Sequence, residues 1–200
     1  ALDLGIGALA VRQLARSRGE EALFRRRAAA VNSAFLGLAA LGVGATWLFA
    51  GAIAQVLQWS RELPPAEAVA AVRWTGVWLG FAYLNMAQAH CLRAVERFDL
   101  VVLLSSGSMV AAWIAAAVGA RLGLGAADVL ALAAGIGAAQ LAAACLTCRR
   151  VFGRWPRLGR WQGFERGDAR FAGGAFVAQA TSLATYHADK AIVSALLGAA

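Results

Sequence analysis

The chain reads as an all-α protein, a polytopic transmembrane helix bundle of about six spans, and three observations say so. Hydrophobic residues make up 60% of its 200 residues and charged ones only 15%, with a mean hydropathy of +0.63; soluble domains carry about 25% charged residues. Apolar runs of roughly 20 residues, the length that crosses a hydrocarbon core, recur along the chain. Its basic residues gather in alternate connections, as the positive-inside rule requires.

In chain order, residues 1–11 form the end of a first helix, and Arg12, Arg16, Arg18, Arg25, Arg26 and Arg27 make a basic connection around Gly19, Glu20 and Glu21. Residues 28–57 are apolar apart from Asn32, Ser33, Thr46 and Gln55, long enough to span with tilt. Pro64 and Pro65 cannot continue that helix, and Glu67 suits the first turn of the next one. Residues 68–92 then span again. At 100° per residue Trp74, Trp78, Phe81, Asn85 and Gln88 share one face, which turns two amides toward other helices or a cavity instead of lipid. Gly76 and Gly80 form a GxxxG pair that permits close helix approach.

Residues 100–120 and 129–147 are two further spans, separated by charged or glycine-rich turns at 93–99 and 121–125. Between Arg149 and Arg170 lie seven arginines interleaved with Phe152, Trp155, Trp161 and Phe164. Such a mixture can bind single-stranded nucleic acid, but between two spans it reads as a connection lying on an anionic leaflet. If residues 12–27 are inside, alternation puts 93–99 and 149–170 inside as well. Those three connections hold fifteen of the nineteen basic residues. The net charge of +8 is thereby assigned to inner loops, and no nucleic-acid partner is needed.

The last span begins near Phe171 and carries Asp189 and Lys190 inside an apolar run. Gln179, Ser182, Tyr186, Asp189 and Lys190 fall within about 100° of arc on a helical wheel, a polar stripe on an otherwise apolar helix. A charge in mid-bilayer costs about 2.5–3.5 kcal/mol on insertion scales, so such residues pair with one another or face a water-filled path. Cys91, Cys145 and Cys148 read as small packing residues, since a metal site needs about four ligands and no second Cys/His pair lies nearby. His90 and His187 are lone histidines. With no initiator Met and no signal peptide at its start, the chain reads as an internal fragment.

The segment from Gly174 to Gly198, with Gln179, Asp189-Lys190 and the terminal Leu197-Gly198, resembles the seventh helix of the Wzx-like polysaccharide-export flippases. These belong to the multidrug/oligosaccharidyl-lipid/polysaccharide exporter superfamily. Leu2-Asp3-Leu4-Gly5-Ile6-Gly7 followed by Arg12 resembles that family's second helix, and Leu92-Arg93-Ala94-Val95-Glu96-Arg97-Phe98-Asp99 resembles its connection between the fourth and fifth helices. The resemblance implies two lobes, with residues 1–170 in the N-terminal lobe and 171–200 as the first helix of the C-terminal lobe.

It further implies a multi-pass protein of the bacterial cytoplasmic membrane that moves a lipid-linked oligosaccharide, borne on polyprenyl diphosphate, by alternating access. The partners implied are the bilayer, the polyprenyl-linked glycan, a glycan polymerase and glycosyltransferases. No cofactor is implied, and the coupling gradient, proton or sodium, is left open. Asp3, Arg12, Asp189 and Lys190 are the charges the resemblance places beside the substrate path, with Tyr186, Ser182, Gln179, Asn85 and Gln88 as its polar lining. A basic group there would offset the desolvation of a diphosphate. Two other functions compete: export of cationic drugs on the same fold, and a membrane-embedded glycan-processing enzyme. The enzyme is disfavoured, because the chain shows no paired carboxylates, no HExxH and no phosphate-binding Gly-Lys-Ser/Thr loop.

Overall fold

A computed structural model of the chain describes residues 5–56, 63–153, 158–159, 168, 170–178 and 181. Among them every regular element is an α-helix: α1 Ile6–Arg16, α2 Glu21–Leu48, α3 Ala50–Val56, α4 Pro65–Ala94, α5 Phe98–Arg121 and α6 Ala126–Phe152. Residues 170–178 are helical as well. Among the described residues three helices, α2, α5 and α6, are long and apolar enough to cross a membrane. About six spans were expected. The difference lies partly in α4, which at 30 residues is about 45 Å long but carries Arg73, Asn85, Gln88 and His90.

Packing explains why α4 is the less apolar helix. It lies at the centre of the bundle, with α1, α2, α3, α5 and α6 all packed against it. Asn85, Gln88 and His90 are therefore covered by protein, while Arg73 and Arg93 toward its two ends are exposed. The lipid-like surface is supplied instead by α5, whose Val102, Leu103, Met109, Val110, Trp113 and Ile114 are all exposed. The buried residues are mostly small, Ala above all, with Gly76, Gly80, Gly137 and Cys91 among them. Large residues outside and small ones inside invert the usual soluble pattern and match helix association in lipid, where small residues let backbones approach.

Helix ends follow local chemistry. Pro64 and Pro65 open α4 where a missing N–H costs nothing, with Glu67 in the first turn. At the end of α5, Gly123 takes φ 70° and its N–H donates to the Ala120 carbonyl, while that of Leu124 donates to Gly119. The helices also run past their expected limits. Arg25, Arg26 and Arg27 belong to the first turns of α2, and Arg149 and Arg150 to the last turn of α6, because basic heads can reach water from a helix end. Residues 28–57, read as one span, divide at Phe49 into α2 and α3.

The connections group at two ends. At one, Arg18 pairs with Glu96 at 2.6 Å and the Phe24 and Phe152 rings lie 5.2 Å apart, which brings the α1–α2 and α4–α5 turns and the end of α6 together. Here Arg16, Arg26, Arg93, Arg149 and Arg150 are exposed. At the opposite end Arg73 sits over the Trp47 ring at 5.3 Å. There Ala50 and Ala54 of α3 also pack on Ala68 and Val72 of α4.

Candidate functional site

Two polar places stand out, one on each side of the core formed by Ala10, Leu14, Val31, Phe35, Ala87, Cys91 and Ala94. The first is inside the bundle. Asn85 and Gln88, one turn apart on α4, are 8% and 5% exposed, as expected from the polar face they share. They turn to different helices. Asn85 Nδ2 donates to the Gly137 carbonyl of α6 at 3.2 Å, and Gln88 Nε2 donates to Asn32 Oδ1 of α2 at 3.0 Å. Gly137 makes its bond accessible: a Cβ there would already stand 3.1 Å from Phe81 Cβ, so only glycine lets α6 come this close.

Asn85 Oδ1 and Gln88 Oε1 accept no hydrogen bond among the described residues, and Cys148 Sγ lies 3.9 Å from the Gln88 carbonyl. His90 is buried with its ring 5.4 Å from that of Phe35. The seam is neutral in its amides and holds α2, α4 and α6 together. The outer members of the expected polar face, Trp74 and Trp78, are about two-fifths exposed, so the face is buried only over its lower half.

The second place is the seam between α1 and the 170–178 helix. On the wheel Gly5, Leu9, Arg12 and Arg16 form one stripe of α1 about 60° wide, its members about 100–180° from Ala10 and Leu14 on the core side. The stripe meets the later helix. A Cβ on Gly5 would overlap the Ala172 carbonyl and stand 3.0 Å from the Phe176 amide nitrogen, and Gly5 itself has φ 74°. Further along, the Arg12 guanidinium carbon lies 4.6 Å from the centre of the Phe171 ring. Gln13 Nε2 then donates to Asp168 Oδ2 at 2.5 Å. The residue numbers run in opposite senses along the seam, so the two helices are antiparallel.

The surrounding charges are distributed unevenly. Asp168 is buried, at 2% exposure, and held by Gln13. The Gln13 carbonyl in turn accepts from Arg27 Nη1 at 2.6 Å. Arg18 and Arg25 have Glu96 and Glu21 as partners. Arg97 grips Asp99 through Nε and Nη2 at 3.0 and 2.9 Å, a hydrogen-bonded pair that holds its guanidinium proton still more firmly than usual. Arg12 is half-buried, and neither it nor Arg16 has a hydrogen-bond or acidic partner among the described residues.

Of the residues singled out in the sequence, Arg12, Asn85 and Gln88 are placed. The structure separates them, Arg12 lying beyond α1 from the two amides. Asp3, Gln179, Ser182, Tyr186, Asp189 and Lys190 lie outside the described residues, as does His187. Asn32 and Phe171 were not among the candidates. For Asn32 a usable signal existed, an amide within a long apolar run, whereas Phe171 is an ordinary apolar residue at the start of a span. Comparisons with protein-family models, with curated proteins and with solved structures return no match.

Proposed function

We propose that the chain belongs to a multi-pass transporter of the bacterial cytoplasmic membrane that moves a lipid-linked oligosaccharide, carried on polyprenyl diphosphate, between leaflets by alternating access. The observation that carries this reading is Arg12: a half-buried guanidinium with no acidic partner among the described residues, at the joint between α1 and the helix that leads toward Asp189 and Lys190. A cation with no acidic partner among the described residues, at a helix joint, suits an anionic cargo better than a cationic drug, which a positive group would repel. The apolar outer faces of α5 and α6 and the amide seam inside are consistent with a bundle that keeps lipid out and polar groups in.

On this reading the α1 seam borders the path, and the resemblance adds Gln179, Ser182, Tyr186, Asp189 and Lys190 as residues to test with it. The test is complementation of a flippase-deficient strain with the full-length gene carrying Arg12→Ala, Arg12→Lys, Asp189→Asn or Lys190→Ala. Glycan export should fall at least about tenfold in Arg12→Ala and recover in part in Arg12→Lys, as expected for a charge-assisted hydrogen bond. Normal export by Arg12→Ala at normal protein level would remove the basis of the reading.

A further inference from the structure

We infer that the outward face of α6 carries a groove for a phospholipid with a primary ammonium headgroup, its chain lying along the helix and its ammonium held by Asp128 and Glu67. The groove lies outside the bundle and is independent of the transport path proposed above.

The groove follows one side of α6. It has a volume of about 590 Å³, and its lining includes Leu124, Leu132, Gly135, Ile136 and Ala139, with Asp128 toward one end. On the wheel Asp128, Leu132, Gly135 and Ala139 fall about 160–220° from Gly137, the residue that packs on Phe81 of α4, so the groove faces away from the core. Gly135 keeps it open: a Cβ there would meet nothing within 4 Å, and a larger side chain would fill the space. From Asp128 to Ala139 the helix rises about 16 Å, close to the hydrocarbon depth of one leaflet, about 15 Å. An apolar slot of that length with its charge at one end has the proportions of a lipid.

The charge at the mouth selects the headgroup. A Cβ on Gly125 would stand 2.5 Å from Glu67 Oε1 and 3.8 Å from Asp128 Oδ2. The two carboxylates therefore lie within about 6.5 Å of each other, where like charges repel and a cation between them is favoured. Glu67 Oε1 already accepts the Ala126 N–H, which leaves Oε2 and the Asp128 carboxylate for a ligand. Neither residue has a basic partner among the described residues. Arg73 lies over the Trp47 ring. Arg121 closes α5 about 160° round from Gly119, whose position faces Val129 of α6, and so points away from the mouth.

A primary ammonium brings three N–H donors to such a pair. The trimethylammonium of phosphatidylcholine brings none, and the anionic headgroup of phosphatidylglycerol is repelled. Arg149 and Arg150 are exposed at the other end of α6. The positive-inside rule therefore sets Asp128 at the outer surface, and the lipid is drawn from the outer leaflet.

The experiment measures lipid retention by native mass spectrometry on the full-length protein in detergent, titrated with phosphatidylethanolamine, phosphatidylcholine or phosphatidylglycerol of one acyl composition. Wild type is compared with Asp128→Asn, Glu67→Gln and Gly135→Leu. Wild type should hold phosphatidylethanolamine at least about tenfold more tightly than either competitor, as expected of charge-assisted hydrogen bonds. Asp128→Asn should cut that preference to about threefold or less, and Glu67→Gln, which keeps an oxygen for the Ala126 N–H, should reduce it about threefold. Gly135→Leu should lower the affinity for all three lipids about tenfold by filling the groove. Thermal unfolding should be unchanged in Asp128→Asn and Gly135→Leu, since both positions are exposed.

Equal retention of phosphatidylethanolamine and phosphatidylcholine by wild type overturns the ammonium site and leaves an unselective lipid surface. An undiminished preference in Asp128→Asn overturns the role of the mouth. Loss of the preference in the presence of EDTA also overturns it, since a metal ion bridging the carboxylates to the lipid phosphate would then be the ligand. Unchanged affinities in Gly135→Leu overturn the groove.

Discussion

Gln88 Nε2 donates to Asn32 Oδ1 across 3.0 Å, joining two amides fifty-six residues apart in the interior of a bundle whose outside is apolar. The exchange is worth about 1 kcal/mol in a membrane setting. Leaving one partner buried and alone costs more, about 1–3 kcal/mol. Gln88→Leu and Asn32→Leu should therefore each lower stability by about 1–3 kcal/mol, and the double substitution should lower it by less than their sum. A double-mutant cycle on reversible unfolding in mixed micelles reads this directly, and strict additivity would mean that the bond contributes nothing.

At the opposite end of the bundle Glu67 reaches across from the first turn of α4 and its Oε1 accepts the Ala126 N–H of α6 at 2.8 Å. The α6 N-cap position is Gly125, which has no side chain with which to cap its own helix. Glu67 acts as that cap from a neighbouring helix. Glu67→Ala should cost about 1–2 kcal/mol, and amide exchange should quicken in the first turn of α6 while the middle of α4 stays protected. Glu67→Gln keeps an acceptor oxygen and should lose less than half as much.

The turn after α4 contains a residue in an unfavourable conformation. Glu96 has φ 62°, and it is the only non-glycine residue with positive φ among those described. Its N–H donates to the Arg93 carbonyl and that of Arg97 to Leu92, the pattern that normally places glycine at this position and does so at Gly123 after α5. A left-handed L-residue costs about 1–2 kcal/mol. The exposed pair with Arg18 returns less than about 1 kcal/mol. Glu96→Gly should thus raise stability by about 0.5 kcal/mol, and a drop of about 1 kcal/mol would show that the ion pair dominates.

Much of this architecture was legible from residue type. Pro64 and Pro65 mark the start of α4, and Asn85 and Gln88 fall on the face that is buried. What escaped was information carried between helices. Nothing local distinguishes Asn32 as the partner of Gln88, or Asp168 as that of Gln13, since each depends on a helix more than fifty residues away. The basic connections were legible as charge but not as shape: Arg25 to Arg27 remain helical because a helix end in contact with water tolerates charge. Arg12 was legible as a candidate by resemblance alone; its place over the Phe171 ring required the antiparallel register of the two helices.

The GxxxG pair of α4 was a weak signal in sequence, and the structure gives it an ordered set of consequences. A Cβ on Gly76 would overlap Thr46 of α2, and one on Gly80 would stand 2.8 Å from Val43 Cγ2. The two obstacles differ in stiffness. Thr46 Oγ1 donates to the carbonyls of Gly42 and Val43 at 3.0 and 2.9 Å, which fixes its rotamer, and its methyl group would also lie within 3.2 Å of the new carbon. Val43 has no such tether. Gly76→Ala should consequently cost about 1–3 kcal/mol, and Gly80→Ala should cost less. Gly135 of α6 faces open space, so Gly135→Ala should be neutral or stabilising by up to about 1 kcal/mol, the helix preference for alanine. Adding Thr46→Ala to Gly76→Ala should recover most of the loss, with a coupling of about 1 kcal/mol or more. Unfolding of these variants, and of Thr46→Ala alone, in mixed micelles tests the order. Equal costs at positions 76, 80 and 135 would mean that α4 and α2 do not approach through these glycines.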